Sequence, residues 1–221
     1  MLLAAVLFAA PMFANSIYWY NGDSGGGGNI ADERGGAFGN SFIYDDFNVG
    51  AAGVDITGLI ATEAIDNAAG ITQASWEIRS GVSSGNGGTL VASGTNNISL
   101  VDTGAALGGE IYNVTLNGIN VNLGAGTYWL AIAPVLPGNQ RAWIQTTTGV
   151  NAVGSPQGNN GNSFANGPAL GANFTPISVY FGSSFDFSEG VLTSTPEPTT
   201  LSLSAAALLL GFAGVFRKRA R

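Results

Sequence analysis

Between residues 15 and 195 the apolar residues come in short runs, broken at close intervals by Gly, Asn and Ser, and no run there keeps a helical period over a useful length. Such a chain has to bury itself as strands joined by turns. Phe42, Tyr44 and Phe47 mark one strand, and Val54-Asp55-Ile56-Thr57 runs into Gly58-Leu59-Ile60 as another. Ala74, Trp76 and Ile78 alternate with Ser75, Glu77 and Arg79, which predicts one apolar and one wet face. Leu90-Val91 and Ile98-Ser99-Leu100 follow as separate short strands. Segments 111–116 and 119–123 flank Asn117-Gly118, a pair suited to a two-residue hairpin turn because both tolerate positive φ. Residues 126–133 are apolar on both faces, with Tyr128, Leu130 and Ile132 on one side and Trp129 on the other. Segment 140–147 carries Trp143 and Ile144, and segment 177–181 closes the domain. Gly25 to Gly28 reads as a flexible loop. Eight to ten short strands of this kind predict an all-β domain, a β-sandwich of jelly-roll type.

Composition narrows what holds this domain together and what it can bind. Glycine is abundant at 34 residues, without a collagen period, and there is no cysteine or histidine. Disulfides and Cys/His zinc sites are excluded, so packing must carry the fold. The body holds three basic residues, Arg34, Arg79 and Arg141, against thirteen carboxylates, and no lysine. That balance excludes nucleic-acid binding, which recruits Lys and Arg to the phosphates.

The two ends differ from the body. Leu2 to Ala10 is an apolar run followed by Pro11 and Ala14, the pattern of a secretory signal spanning residues 1–14. The other end reads Thr195-Pro196-Glu197-Pro198, then a charge-free segment over 199–216, then Arg217-Lys218-Arg219-Ala220-Arg221. The 18 residues of that segment make a helix about 27 Å long, close to the thickness of a bilayer's hydrocarbon core. Pro198 suits a helix start. The cations Arg217, Lys218, Arg219 and Arg221 should stay cytoplasmic, which places the body outside.

Residues 196–221 resemble the PEP-CTERM sorting signal in order, spacing and composition: a Pro-Glu-Pro motif, a short transmembrane helix and an Arg-rich end. The resemblance implies an exosortase as partner, a membrane enzyme of Cys-dependent transpeptidase kind. It would cleave near Pro196, Glu197 and Pro198 and pass the protein to the cell surface or exopolysaccharide matrix. Those three residues are a substrate signature. The stretches Trp76 to Gly94 and Leu123 to Pro134 are also similar to β domains of other PEP-CTERM proteins. Such domains generally have no assigned activity, so this similarity bears on fold rather than function.

Chemistry in the body is sparse. Gly81-Val82-Ser83-Ser84-Gly85 fits the spacing of a hydrolase nucleophile elbow but has no histidine base to serve it, and reads as a turn. The only lysine is Lys218, which excludes a Walker A loop. Carboxylates remain. Asp45, Asp46, Asp55, Glu77, Glu110, Asp186 and Glu189 could supply a glycosidase pair. Calcium is favoured over that reading, with Asp45 and Asp46 as first ligand candidates and Asp23 and Asp32 behind them. Trp129, Trp143 and Tyr20 could stack on a glycan, although packing in the core is the commoner fate of such rings. The expectation is an exported, non-enzymatic envelope or matrix protein without a resident cofactor other than a calcium ion. Its alternative is a carbohydrate-binding module for exopolysaccharide, and a carboxylate glycosidase comes third.

Overall fold

The computed structural model describes residues 13–196. The chain divides into a compact unit, residues 17–193, and a second formed by its terminal segments, 1–16 and 194–221. The predicted signal core, Glu197, Pro198, the apolar span and the basic end lie outside the described residues.

Thirteen strands account for most of what is described: β1 (Phe13–Tyr20), β2 (Ser24–Ala31), β3 (Glu33–Gly36), β4 (Gly39–Val49), β5 (Val54–Ile65), β6 (Gln73–Ser80), β7 (Thr89–Ala106), β8 (Glu110–Leu123), β9 (Gly126–Pro134), β10 (Ala142–Thr147), β11 (Phe164–Gly167), β12 (Ala172–Pro176) and β13 (Glu189–Pro196). A one-turn helix, α1 (Ser178–Phe181), and a 3-10 turn at Pro168–Leu170 are the only helical pieces among the described residues. The protein is therefore all-β. Hydrogen bonds link the strands in the order β1-β13-β5-β8-β7-β6-β9-β4-β11-β12, with β10 and β2 attached beside β5 and β3 attached to β4.

Two strands organise this sheet. β5 pairs along its whole length with β8, and its other edge is shared by β13, at Ile56–Ala61, and β10, at Glu63–Ile65. β7 pairs with β6 through its first half and with β8 from Ile98 onward, so it carries the sheet from one half to the other. The halves pack face to face. The largest apolar cluster draws Trp19, Ile56, Leu59, Val114, Leu116 and Val191 from one half, and Phe47, Trp76, Ile78, Leu130 and Ile132 from the other. Trp19 stacks on Phe47 with ring centroids 5.5 Å apart, and its indole N–H donates to the Pro156 carbonyl at 2.9 Å.

Alternation works as read in β6, where Ala74, Trp76 and Ile78 are buried and Ser75, Glu77 and Arg79 are half-exposed. β9 buries both faces: Leu130 and Ile132 join the interlayer cluster, while Trp129, Ala131 and Ala133 pack with Phe42, Tyr44 and Phe174.

Four expectations are corrected. Asn117-Gly118 is not a hairpin turn but a bulge inside β8, because the segments on both sides pair with the same strand, β5. Gly58 stands opposite Asn117 and Ile56 opposite Val121, and Gly118 takes φ +73° to absorb the extra residues. Leu90-Val91 and Ile98-Leu100 are one long strand, β7, because the Ser, Gly and Asn residues between them pair with β6 instead of turning. Gly25 to Gly28 lie within β2, in the register shift between its Ser24–Thr147 and Asn29–Gln145 pairs with β10. A Cβ on Gly25 would stand 2.1 Å from Thr148 Cγ2, so glycine there serves close approach rather than flexibility. Segment 177–181 is not the closing strand: Ser178–Phe181 is a single helical turn ended by Gly182 at φ +69°. The last strand of the described chain is β13, which lies between β1 and β5.

Trp19→Ala opens a cavity where the two halves meet. The variant is expected to lose about 3–5 kcal/mol in urea unfolding, whereas Val101→Ala, on an exposed position of β7, should stay within about 0.5 kcal/mol. Equal losses would mean that the Trp19–Phe47 contact does not hold the layers together.

Candidate functional site

An acid in a strand ordinarily marks its solvent face. In this protein Asp32, Asp45, Glu63 and Glu189 are all at most 1% exposed. Strand geometry explains how they come to be inside. Ala61, Glu63 and Ile65 share one face of β5 by the two-residue period, and that face is buried. Glu189, the first residue of β13, stands opposite Ala61 and therefore joins the same face. Ile144 of β10 stands opposite Glu63 and packs among Ile30, Ile43 and Phe187. Asp32 sits between β2 and β3, its N–H donating to the Ala142 carbonyl at 3.1 Å. From the other half, Asp45 of β4 shares a face with Ile43 and with Phe47, the residue that stacks on Trp19.

Asp45 is well supported. Its Oδ2 accepts the Asn21 side-chain amide at 2.7 Å and the Phe187 N–H at 2.8 Å, and its Oδ1 accepts the Asp46 N–H at 2.9 Å. The other three are not. Asp32 Oδ1 accepts the Ile43 N–H at 3.2 Å, but its Oδ2 has no partner, and neither oxygen of Glu63 has one; at Glu189 the Asp45 N–H opposes the effect of burial without making a well-formed hydrogen bond. Asn21 donates its backbone N–H to the Glu189 carbonyl at 3.0 Å and its side-chain N–H to Asp45, and leaves its own Oδ1 unpartnered. Asp186 and Asp46 border the group. Asp186 Oδ2 accepts the Asn160 and Gly161 N–H groups, and Asp46 Oδ1 accepts the Asn160 side-chain amide at 2.7 Å.

No cation of the described residues answers these charges. Arg79 pairs with Glu77 at 2.7 Å, Arg34 lies over the Phe42 ring and Arg141 over Phe38. Burial accordingly pushes the carboxyls of Asp32, Asp45, Glu63 and Glu189 well above the usual range. Mutual repulsion adds to it: Asp32 and Glu189 act on Glu63, Asp45 and Asp32 act on Glu189, and Asp186 acts on Asp45. Asp186 is pushed up to about 6, first by burial, with the Asn160 and Gly161 amides opposing. Among the described residues no three Asp, Glu, His or Cys side chains group so as to hold a metal ion.

The sequence-predicted residues fall in different places. Asp45 and Asp32 belong to the buried group, whereas Asp46 turns toward Asn160, and Asp23 accepts from the Asn151 amide and the Tyr20 hydroxyl near the surface. Of the glycosidase candidates, Asp186 and Glu189 are buried with them. Asp55 and Glu110 are exposed and bonded to Asn122 and Tyr112, and Glu77 is held by Arg79 and the Tyr44 hydroxyl. Trp129 is packed, its indole N–H donating to the Asn162 carbonyl. Trp143 and Tyr20 are half-buried, the first edge-on to Phe38. The three rings stand on β9, β10 and β1, strands that do not pair with one another. Pro196 ends β13. Glu63 and Asn21 went unnoticed in the sequence. The signal that could have found Glu63 is its place in Ala61-Thr62-Glu63-Ala64-Ile65, a strand end in which every other inward position is apolar.

Two shallow depressions lie on the surface. One, of about 240 Å³, is lined by Arg34, Phe42, Trp76 and Glu77, and the other, of about 260 Å³, by Tyr20, Ile60, Thr62 and Asn113. The four buried carboxylates line neither.

Acids whose folded pKa is raised bind protons more tightly folded than unfolded. Their favourable contribution is complete below the unfolded value of about 4 and is lost as pH rises through the folded values. In metal-free buffer the melting temperature should therefore fall between pH 4 and 7, with the Asp186 carboxyl ionising near 6. A melting temperature that climbs over this interval would contradict the arrangement.

Comparison of the chain with protein-family models, with curated proteins and with solved structures returns no match.

Proposed function

We propose that this chain is an exported structural protein of the cell envelope or extracellular matrix, delivered through its C-terminal tail, with a β domain that does no chemistry of its own. The observation that carries the reading is the order Pro196-Glu197-Pro198, uncharged 18-residue span, Arg217-Lys218-Arg219. That order fits a membrane-inserted sorting signal with the body on the outer side. Its partner is a sorting enzyme of exosortase type, and the membrane holds the protein through segment 199–216 until processing. For the domain, the two antiparallel layers joined through β7 support a sandwich, and the non-sequential neighbours β5-β13 and β4-β9 support the jelly-roll variety.

The disposition of the acids favours a structural role over a glycosidase. A glycosidase needs two carboxyls about 5–10 Å apart across an open sugar site, and each surface depression offers at most one, Glu77 in the first. Both depressions are also smaller than the roughly 300 Å³ at which ligand pockets begin. Exopolysaccharide binding is left with Trp143 and Tyr20 as stacking candidates, since both faces of the β9 strand that carries Trp129 are packed.

Residues 197–221 lie beyond every described strand, so they can be deleted without cutting into one. The truncated protein is expected in the soluble fraction after carbonate washing, and equal membrane retention would refute the anchoring role. Glu197→Ala separates recognition from anchoring, because one charge just outside the bilayer contributes little to insertion. In the native host the variant should accumulate as a longer membrane-bound precursor, read by mass spectrometry of both termini. Normal processing of the variant would remove Glu197 from the signal.

A further inference from the structure

We propose that Asn86 is a site of spontaneous covalent modification, at which the Gly87 amide nitrogen closes on the Asn86 side chain and aspartate and isoaspartate result. The chain reacts with itself and turns over no substrate, and the inference does not rest on the sorting reading.

Asn-Gly pairs are open to this cyclisation because glycine has no Cβ to hinder its nitrogen. The chain contains five, at Asn21, Asn86, Asn117, Asn160 and Asn166. The fold restrains four of them. Asn21 is buried, with its side-chain amide donating to Asp45. Asn117 stands opposite Gly58 in the β5–β8 ladder, and its carbonyl accepts the Asn96 side-chain amide at 3.3 Å. Asn160 donates to Asp46 and accepts from the Asn162 N–H, while the nucleophile it would need, the Gly161 N–H, is committed to Asp186. Asn166 stands opposite Phe42 in β11, and Gly167 is pressed so close to Ser41 that a Cβ on it would lie 2.9 Å from the Ser41 Cα.

Asn86 differs from these. It is exposed, in the turn between β6 and β7, where its backbone N–H and carbonyl bond with Ser83 at 2.8 and 2.9 Å. Neither its side-chain N–H groups nor the Gly87 N–H donate to any group among the described residues. The Gly88 N–H donates to Asn86 Oδ1 at 3.0 Å. That bond draws electrons from the side-chain carbonyl carbon and meets the negative charge that develops on the oxygen under attack. Gly87 N gives its proton to a solvent base and bonds to Asn86 Cγ. The Cγ–Nδ2 bond breaks, and ammonia leaves with a proton taken from solvent. Water then opens the five-membered imide. Opening at the side-chain carbonyl gives aspartate, and opening at the main-chain carbonyl gives isoaspartate, with one extra atom in the backbone.

The surroundings have no slack for that atom. The Gly87 carbonyl accepts Arg79 Nη1 at 3.1 Å, and a Cβ on Gly87 would stand 2.4 Å from the Phe174 ring. On Gly88, at φ +60°, a Cβ would stand 2.0 Å from the Ser80 carbonyl oxygen. Isoaspartate at position 86 therefore displaces Gly87 and loosens the Arg79 guanidinium, which lies over the Tyr44 and Phe174 rings.

The test incubates the purified full chain in detergent at pH 8, with a parallel sample in urea, and reads chymotryptic peptides by mass spectrometry. In folded protein Asn86 should convert at least about tenfold faster than each of the other four, which must first open locally. In urea the five rates should converge. Asn86→Gln, whose longer side chain would have to close a six-membered ring, should stay unconverted at that position and keep its melting temperature on ageing. Wild type aged to isoaspartate should melt about 2–4 °C below fresh protein, whereas Asn86→Asp, with the charge on an ordinary backbone, should melt close to it. If Asn86→Gln does not fold, the wild-type time course in the two media decides. Conversion of another Asn-Gly pair ahead of Asn86 in folded protein, or the same spread of rates in urea, overturns the proposal. Unchanged melting of the isoaspartate form overturns its structural consequence.

Discussion

Burying carboxylates inside an apolar interior is the constraint on which the rest of this structure turns. The interior holds Trp19, Phe47, Leu59, Val191 and Leu130 in its largest apolar cluster at one end, and Asp32, Asp45, Glu63 and Glu189 are buried as completely at the other. The apolar end supplies the driving force, at roughly 25 cal/mol per Å² removed from water. The acidic end works against it unless protons or a cation neutralise the charge. Without a disulfide, and with only three arginines before the tail, the chain has no other way to answer that charge from within. The stability of the domain is thus tied to the medium around it.

The topology shows why the acids cannot be moved outward cheaply. β5 is paired along both edges, to β8 on one side and to β13 and β10 on the other. A one-residue slip that turned Glu63 to solvent would drive Leu59, Ala61 and Ile65 out of the core with it. Asn21 is held equally firmly, since its backbone N–H, side-chain amide and carbonyl bind Glu189, Asp45 and Thr147 respectively. The group is therefore built into the ladder rather than carried on a loop. That position holds the group rigidly in place.

Much of the fold was legible because local pattern and final burial agree. β6 alternates as its sequence does, and the apolar run of β9 is explained by clusters on both its faces. Where the reading failed, long-range pairing overrode local propensity. Asn117-Gly118 favours a turn on its own, yet the residues before and after it find the same partner strand and the pair becomes a bulge. Gly25 to Gly28 look flexible until Thr148 and Phe181 press against them. In the site, Asp45 was a first candidate ligand beside Asp46 and Asp32 a weaker one beside Asp23, but Glu63 was not among them, because an acid in a strand reads as a mark of the wet face. Its burial follows from β10, whose Ile144 stands opposite it and packs among Ile30, Ile43 and Phe187, a fact of pairing that no local window contains.

Hydrogen exchange read by mass spectrometry at pH 7 and pH 5, each rate taken relative to its intrinsic value at that pH, tests most directly whether the carboxylate end is the seam of the domain. At pH 7 the amides of Glu63 to Ile65 and Glu189 to Gly190 should be less protected than those of Trp76 to Ile78, which lie in the apolar end. At pH 5, where the raised carboxyls hold their protons, the first two segments should approach the protection of the third. Uniform protection along β5, β6 and β13 at pH 7, unchanged by pH, would contradict the account.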